Sequence, residues 1–289
     1  MNQSDERVKF IAEVSSNHNR DIERSYEFID AASNAGCSAV KFQLFRVEQL
    51  FSPEILNNSE LHRKRKDWEL PLEFIPKLAA RCKQVGIEFS CTPFYLKAVD
   101  ELAPYVDFYK IASYELLWDD ILLACARTGK PVILSTGMAF LNEIQHAVQV
   151  LKKGGCNSPV LLHCTSAYPT PYEEANLAAI ETIRNATNCE VGWSDHTVEP
   201  AVINRAINRW NVKFVEFHLD LDGNGEEFKA GHCWLPEQIG RVINDVKKGF
   251  KADGSGIKVP VASELPDRLW RADPLDGLRP LREIREKWK

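Results

Sequence analysis

The chain has 289 residues, 44% hydrophobic and 27% charged, which is enough apolar material for a substantial core in an ordinary globular protein. Its net charge of −5, with Lys and Arg spread along the chain, argues against a nucleic-acid footprint, and the one basic cluster, Arg63 to Lys66, reads as a solvated segment. No run approaches the ~18 apolar residues of a membrane span, and the N-terminus lacks the charged-then-apolar pattern of a signal peptide. The eight cysteines have no zinc-ribbon spacing and read as small buried hydrophobes in a reducing compartment, with the cytoplasm as the default address.

Short β-branched runs alternate with stretches of helical spacing. Strands are predicted at 8–14, 38–43, 87–92, 107–112, 131–135, 159–164, 190–194 and 213–218. Helices are predicted between and after them at 22–35, 71–85, 95–103, 117–128, 140–153, 174–186, 198–210 and 236–250. Glycine follows several of these helices, where the left-handed cap favours it (AGCSAVKF, QVGIEF). Strict alternation implies a parallel sheet with helices outside. Eight units in a chain of this length favour closure into a (β/α)8 TIM barrel over an open eight-stranded sheet. The expected division is a catalytic barrel over 1–250 and a C-terminal tail over 251–289 that packs on the barrel or on a partner subunit. Residues 44–70 interrupt the rhythm as a long charged insertion.

In such a barrel the chemistry sits at the C-terminal ends of the strands. That rule gathers Glu13; Lys41 and Gln43; Thr92; Lys110, Ser113 and Glu115; Ser135 and Thr136; His163, Thr165, Ser166 and Tyr168; Ser194, Asp195, His196 and Thr197; and Glu216 and His218. Alternation puts Lys41 with Gln43 on one face of their strand, and Glu216 with His218 on one face of theirs. Two inward lysines call for an anion, either a bound phosphate or carboxylate that Thr92, Ser113, Ser135 and Ser194 could also hold, or a barrel carboxylate for each lysine. His196 and His218 end neighbouring strands and could share a divalent metal, the alternative being hydrogen-bonded core histidines. His163 reads as a hydrogen-bonded core residue, and His18, His62, His146 and His232 carry no specific signal. Glu13 and Glu115 are the best general acids or bases, although Glu115 could instead cap the helix near Leu117. The cysteines have no persuasive catalytic setting.

Through AEVSSNHN, AVKFQLF, SCTPF, YKIAS, ILSTGM, LLHCTSAYPTP, VGWSDHT and VEFHLDLD, in that order over residues 8–250, the chain resembles the sialic acid synthase family of N-acetylneuraminate, legionaminate and pseudaminate synthases. The resemblance implies a metal-dependent transferase that condenses phosphoenolpyruvate with an N-acetylmannosamine-like aldehyde, giving a nonulosonic acid and phosphate. It implies Mn2+ or Mg2+ on His196 and His218, and phosphoenolpyruvate on Lys41, Thr92, Lys110, Ser113, Ser135 and Ser194, with Ser166 standing where some relatives have Asn. Gln43, Glu115 and Tyr168 would face the sugar, Glu13 would position a water, and the enzyme would be a homodimer. Two departures bear on the sugar. The chain ends at Lys289, too soon for the antifreeze-like domain that family members carry. It also reads GNGEEFKAGHCW where relatives read PGPDHKAS, which sets Glu227 near an expected Asp and Gly231 near an expected Ser. The competing readings are the same condensation with a different aldose, and a catalytically lapsed barrel acting as a binding subunit.

Overall fold

The computed structural model of the protein describes residues 7–288. Its described residues form nine parallel-paired strands: β1 (Lys9–Glu13), β2 (Ala39–Leu44), β3 (Glu88–Pro93), β4 (Phe108–Ile111), β5 (Val132–Ser135), β6 (Val160–His163), β7 (Glu190–Asp195), β8 (Phe214–Leu219) and β9 (Cys233–Trp234). The first eight match the predicted strands to within one residue at either end. They pair in sequence order, and β1 also pairs with β8 in the register Lys9↔Phe214 to Glu13↔His218, which closes the (β/α)8 barrel. The short β9 was not predicted. It pairs with β8 so that Cys233 lies opposite His218.

Helices separate the strands. Ile22–Ala35 falls where the spacing placed it and ends on Gly36, whose φ of 93° puts it in the left-handed region that lacks a penalty only for glycine. The helix expected at 174–186 starts later, at Ala179–Thr187, because a 3-10 turn over Tyr172–Glu174 and a positive φ at Asn176 interrupt the backbone first. The charged insertion folds into short helices over Val47–Leu50, Pro53–Asn58 and Glu60–Lys64 and a 3-10 turn over Arg65–Trp68. Its return is tied by buried Glu69, which accepts a 2.8 Å hydrogen bond from the Val47 amide. No described helix is long and apolar enough to cross a membrane. All eight cysteines are free, and all but Cys156 are buried.

The barrel interior is layered. Near the N-terminal ends of the strands Ile11, Ala39, Phe108, Ile133 and Leu162 form an apolar plug, with Val160 and Phe214 packed against it. On β7 the inward position at this level is Gly192, where a Cβ would lie 2.4 Å from the Phe214 carbonyl oxygen and 2.7 Å from Leu162 Cδ2. Above the plug the period of two brings up Glu13, Lys41, Lys110, Ser135, Ser194 and Glu216, all buried. An apolar floor beneath a polar ceiling sets the active end of the barrel. The chain divides after Val246 into two compact units. Within the second, Arg285 holds Asp276 through two hydrogen bonds of 2.6 and 2.8 Å, and Trp270 meets Trp288 edge-on.

Candidate active site

The polar layer is a connected network. Lys41 on β2 is in contact with the Glu13 carboxylate on β1, donates to Thr92 Oγ1 at 3.3 Å, and lies 4.0 Å from Glu216 Oε1. Glu13 also accepts from the Ser15 amide at 2.7 Å and from Gln43 Nε2 at 3.0 Å. Lys110 on β4 donates to Ser135 Oγ at 2.7 Å and lies 3.6 Å from the same Glu216 oxygen, to which Ser194 donates at 3.4 Å. Each inward lysine therefore has a barrel carboxylate, as one of the two sequence-based alternatives requires, so the lysines alone do not demand a bound anion. Beside them, however, the loops leave one hydroxyl free. Ser166 Oγ is buried without a partner, and the Gly137 amide donates to Ser113 Oγ at 3.0 Å, drawing the β4 and β5 loops together. A Cβ on Gly137 would stand 2.2 Å from Ser166 Oγ and 3.0 Å from both Cys164 Sγ and Ser113 Oγ, so only glycine fits between the loops after β4 and β6.

Burial tunes these groups. It lowers the Lys41 ammonium to about 8 against the pull of Glu216, while the Glu13 carboxylate in contact favours the charged form. For Glu216, burial raises the carboxyl but Lys110 and Lys41 outweigh it, and the net direction is downward. Glu115, in the turn after β4, has no such neighbour in contact: burial lifts it to about 7, Lys110 opposing, and its Oε2 has no hydrogen-bond partner. It therefore holds a proton near neutral pH that it could donate.

The histidines cluster at the mouth. His196 and His218 have ring centroids 5.4 Å apart, and the Tyr168 ring packs 4.3 Å from His196 and 5.9 Å from His218. His196 Nδ1 lies 2.8 Å from the Thr165 carbonyl oxygen, which only accepts, so that nitrogen carries the proton and Nε2 keeps its lone pair. Burial, with His218 adding to it, lowers His196 to about 3 and keeps the ring neutral. A neutral imidazole whose second nitrogen is anchored on a carbonyl is the arrangement a metal ligand needs. The donor set thus fits the divalent ion that the resemblance implies.

The loop positions of this cluster are fixed by Asp195, which the sequence placed at the end of its strand without assigning it a role. Fully buried, it accepts from Trp193 Nε1 (3.1 Å), Trp234 Nε1 (3.0 Å), Thr197 Oγ1 (2.7 Å) and the Val198 amide (3.1 Å), and so locks the backbone on either side of His196. His163 sits against Trp193 and bonds the Ala175 carbonyl at 3.1 Å, the core role expected of it. Sequence pattern missed His232 and Cys233 altogether. Both are buried beside His218, and Glu227 reaches the same place, 2.9 Å from His218 Nδ1. Their only sequence signal was the departure from the family pattern in GHCW.

Comparison with known proteins places the chain in a family. The model of the NeuB family matches residues 28–258. The N,N'-diacetyllegionaminic acid synthase of Campylobacter jejuni is 34% identical over 270 residues, 88% of this chain and 80% of that protein. A pseudaminic acid synthase of the same species (serotype O:23/36) is 29% identical over 269 residues, 88% and 77% of the two chains. Among solved structures, N-acetylneuraminic acid (sialic acid) synthetase from Leptospira borgpetersenii superposes with a TM-score of 0.78 at 30% identity, covering 90% of both chains. With a barrel of the same build, the polar network at its mouth and a family match over most of its length, the chain belongs to the NeuB family and is an enzyme of the synthase class.

Proposed function

We propose that the enzyme condenses phosphoenolpyruvate with the open-chain aldehyde of an N-acetylated hexosamine to give a nonulosonic acid and phosphate. The observation that carries this reading is the convergence of two buried ammonium groups, several hydroxyls and two adjacent imidazoles at one barrel mouth. A phosphate and a carboxylate are the anions that Lys41, Lys110, Thr92, Ser113, Ser135, Ser166 and Ser194 are suited to hold, and fixed donors in a dry site position the reacting carbon without reorganisation. His196 and His218 would hold the ion, Mn2+ or Mg2+. Bound there, the ion would supply Lewis acidity to the aldehyde.

The chain's own groups account for the remaining proton transfers. As C3 of phosphoenolpyruvate bonds to the aldehyde carbon, the aldehyde oxygen takes the proton held by Glu115, and water adds at C2 with its proton passing to Glu13, which Ser15 and Gln43 align. Collapse at C2 breaks the bond from C2 to the phosphate oxygen and forms the ketone, the C2 hydroxyl proton leaving with the phosphate into the lysine and hydroxyl cradle. Glu115, protonated near neutrality, and Tyr168 and Gln43 face the sugar. Free, mostly buried cysteines suit a cytoplasmic enzyme, and a homodimer is carried over from the resemblance.

The test is phosphate release from phosphoenolpyruvate across a panel of N-acetylmannosamine, related diamino sugars and shorter aldoses, before and after chelation. Turnover with an N-acetylated hexosamine, lost with EDTA and restored by Mn2+ or Mg2+, is expected. Turnover only with unacylated or shorter aldoses would overturn the sugar assignment, and full turnover after chelation would overturn the metal.

A further inference from the structure

His218 has two neighbourhoods. On one side is His196. On the other, β9 and the helix Glu226–Ala230 deliver Glu227, His232 and Cys233, and one potential ligand atom from each of these and from His218 falls within 4.8 Å of every other. Glu227 Oε2 is the hub: it lies 2.9 Å from His218 Nδ1, 3.6 Å from His232 Nε2 and 3.8 Å from Cys233 Sγ. Metal bonds of about 2.0–2.3 Å in tetrahedral array put neighbouring ligand atoms roughly 3.3–3.8 Å apart. Two of the three separations already have that length, and the third needs only a few tenths of an ångström once an ion replaces the proton joining His218 to Glu227. The His232 ring that offers Nε2 is itself buried, as is Cys233.

We propose that His218, Glu227, His232 and Cys233 form a tetrahedral site for a borderline transition ion such as Zn2+ or Co2+, sharing only His218 with the His196–His218 pair. Two imidazoles, a carboxylate and a thiolate match such ions, whereas Mg2+ prefers an all-oxygen shell. Binding releases the Cys233 thiol proton and the proton between His218 and Glu227, so uptake is proton-linked. Asn17 Nδ2, 3.9 Å from Cys233 Sγ, is placed to donate to the resulting thiolate. Because His218 is shared, an ion bound here withdraws it from His196, and Zn2+ competes with the catalytic ion. This last consequence rests on the proposed function; the site itself does not.

Titration of chelator-stripped protein with Co2+ alone, followed by absorption, tests the site. One equivalent with a thiolate-to-metal charge-transfer band is expected. Cys233→Ser should abolish the band, and His232→Gln should weaken Co2+ binding at least about tenfold, with far-ultraviolet circular dichroism confirming that both variants fold. No band at saturation in the wild type, or wild-type affinity and spectrum in both variants, overturns the proposal. His196→Gln separates the two readings: here it keeps the Co2+ band while losing Mn2+-dependent turnover. Should it keep full turnover, the His196 assignment falls and this site stands. Should the band be missing while His196→Gln abolishes turnover, this site falls and the assignment stands.

Discussion

Replacing Lys110 with Met separates its structural role from its proposed ligand role. Lys110 and Glu216 are both almost fully buried, with 3.6 Å between their charged atoms. Removing one partner of a buried ion pair costs about 3–5 kcal/mol, because the other charge is left uncompensated. Lys41 remains 4.0 Å from the same Glu216 oxygen, which sets the expectation at the lower end, ~3 kcal/mol. For a domain of this size that is a fall in the unfolding midpoint of roughly 6 °C. Loss of a charge-assisted hydrogen bond to phosphoenolpyruvate adds about 1.5–3 kcal/mol to its binding free energy, a roughly 10- to 100-fold weaker affinity. The double variant Lys110→Met/Glu216→Gln removes the orphaned charge, so stability should recover by about 1 kcal/mol or more, since an ion pair replaced on both sides is far less costly than one broken on one side. The affinity should not recover. Thermal unfolding and calorimetric titration of phosphoenolpyruvate read the two effects separately. Unchanged affinity in Lys110→Met would refute the anion assignment, and a double variant less stable than the single one would refute the account of Glu216.

Two other predictions rest on local geometry. Gly192→Ala inserts a methyl group 2.4 Å from the Phe214 carbonyl oxygen, and overpacking of this kind costs about 1–3 kcal/mol, so the thermal midpoint should drop by at least about 2 °C; an unchanged midpoint would show that β7 and β8 can part at no cost. Glu115 concerns pH. Its folded carboxyl, raised from 4.5 to about 7, binds a proton that the unfolded chain has already released, so its own contribution to ligand-free stability should fall as pH rises from about 4.5 to 7, by on the order of 3 kcal/mol, and level off above; the lowered His196 acts in the opposite direction in wild type and variant alike, so the difference between the two proteins carries the effect. Glu115→Gln should lack that fall, and urea unfolding at pH 5 and pH 8 measures it; parallel pH profiles for the two proteins would show that Glu115 is not held protonated.

The sequence by itself determined the barrel. Eight β-branched runs, with helices between them of which several end on glycine, carry their period locally, and β1 to β8 fall where that period put them. It also determined which residues reach the mouth, because strand alternation is a property of neighbours along the chain: Lys41, Lys110, Ser135, Ser194, Glu216 and His218 follow from it. Pairing across the barrel was decided by tertiary structure. That Glu216 stands between Lys110 and Lys41, or that Asp195 gathers Trp193, Thr197 and Trp234 around His196, depends on strand register and on loops that no local pattern encodes. His232 and Cys233 were silent for the same reason. They lie in a two-residue strand and the turn before it, too short for any periodicity to declare, and only their pairing beside β8 brings them to His218.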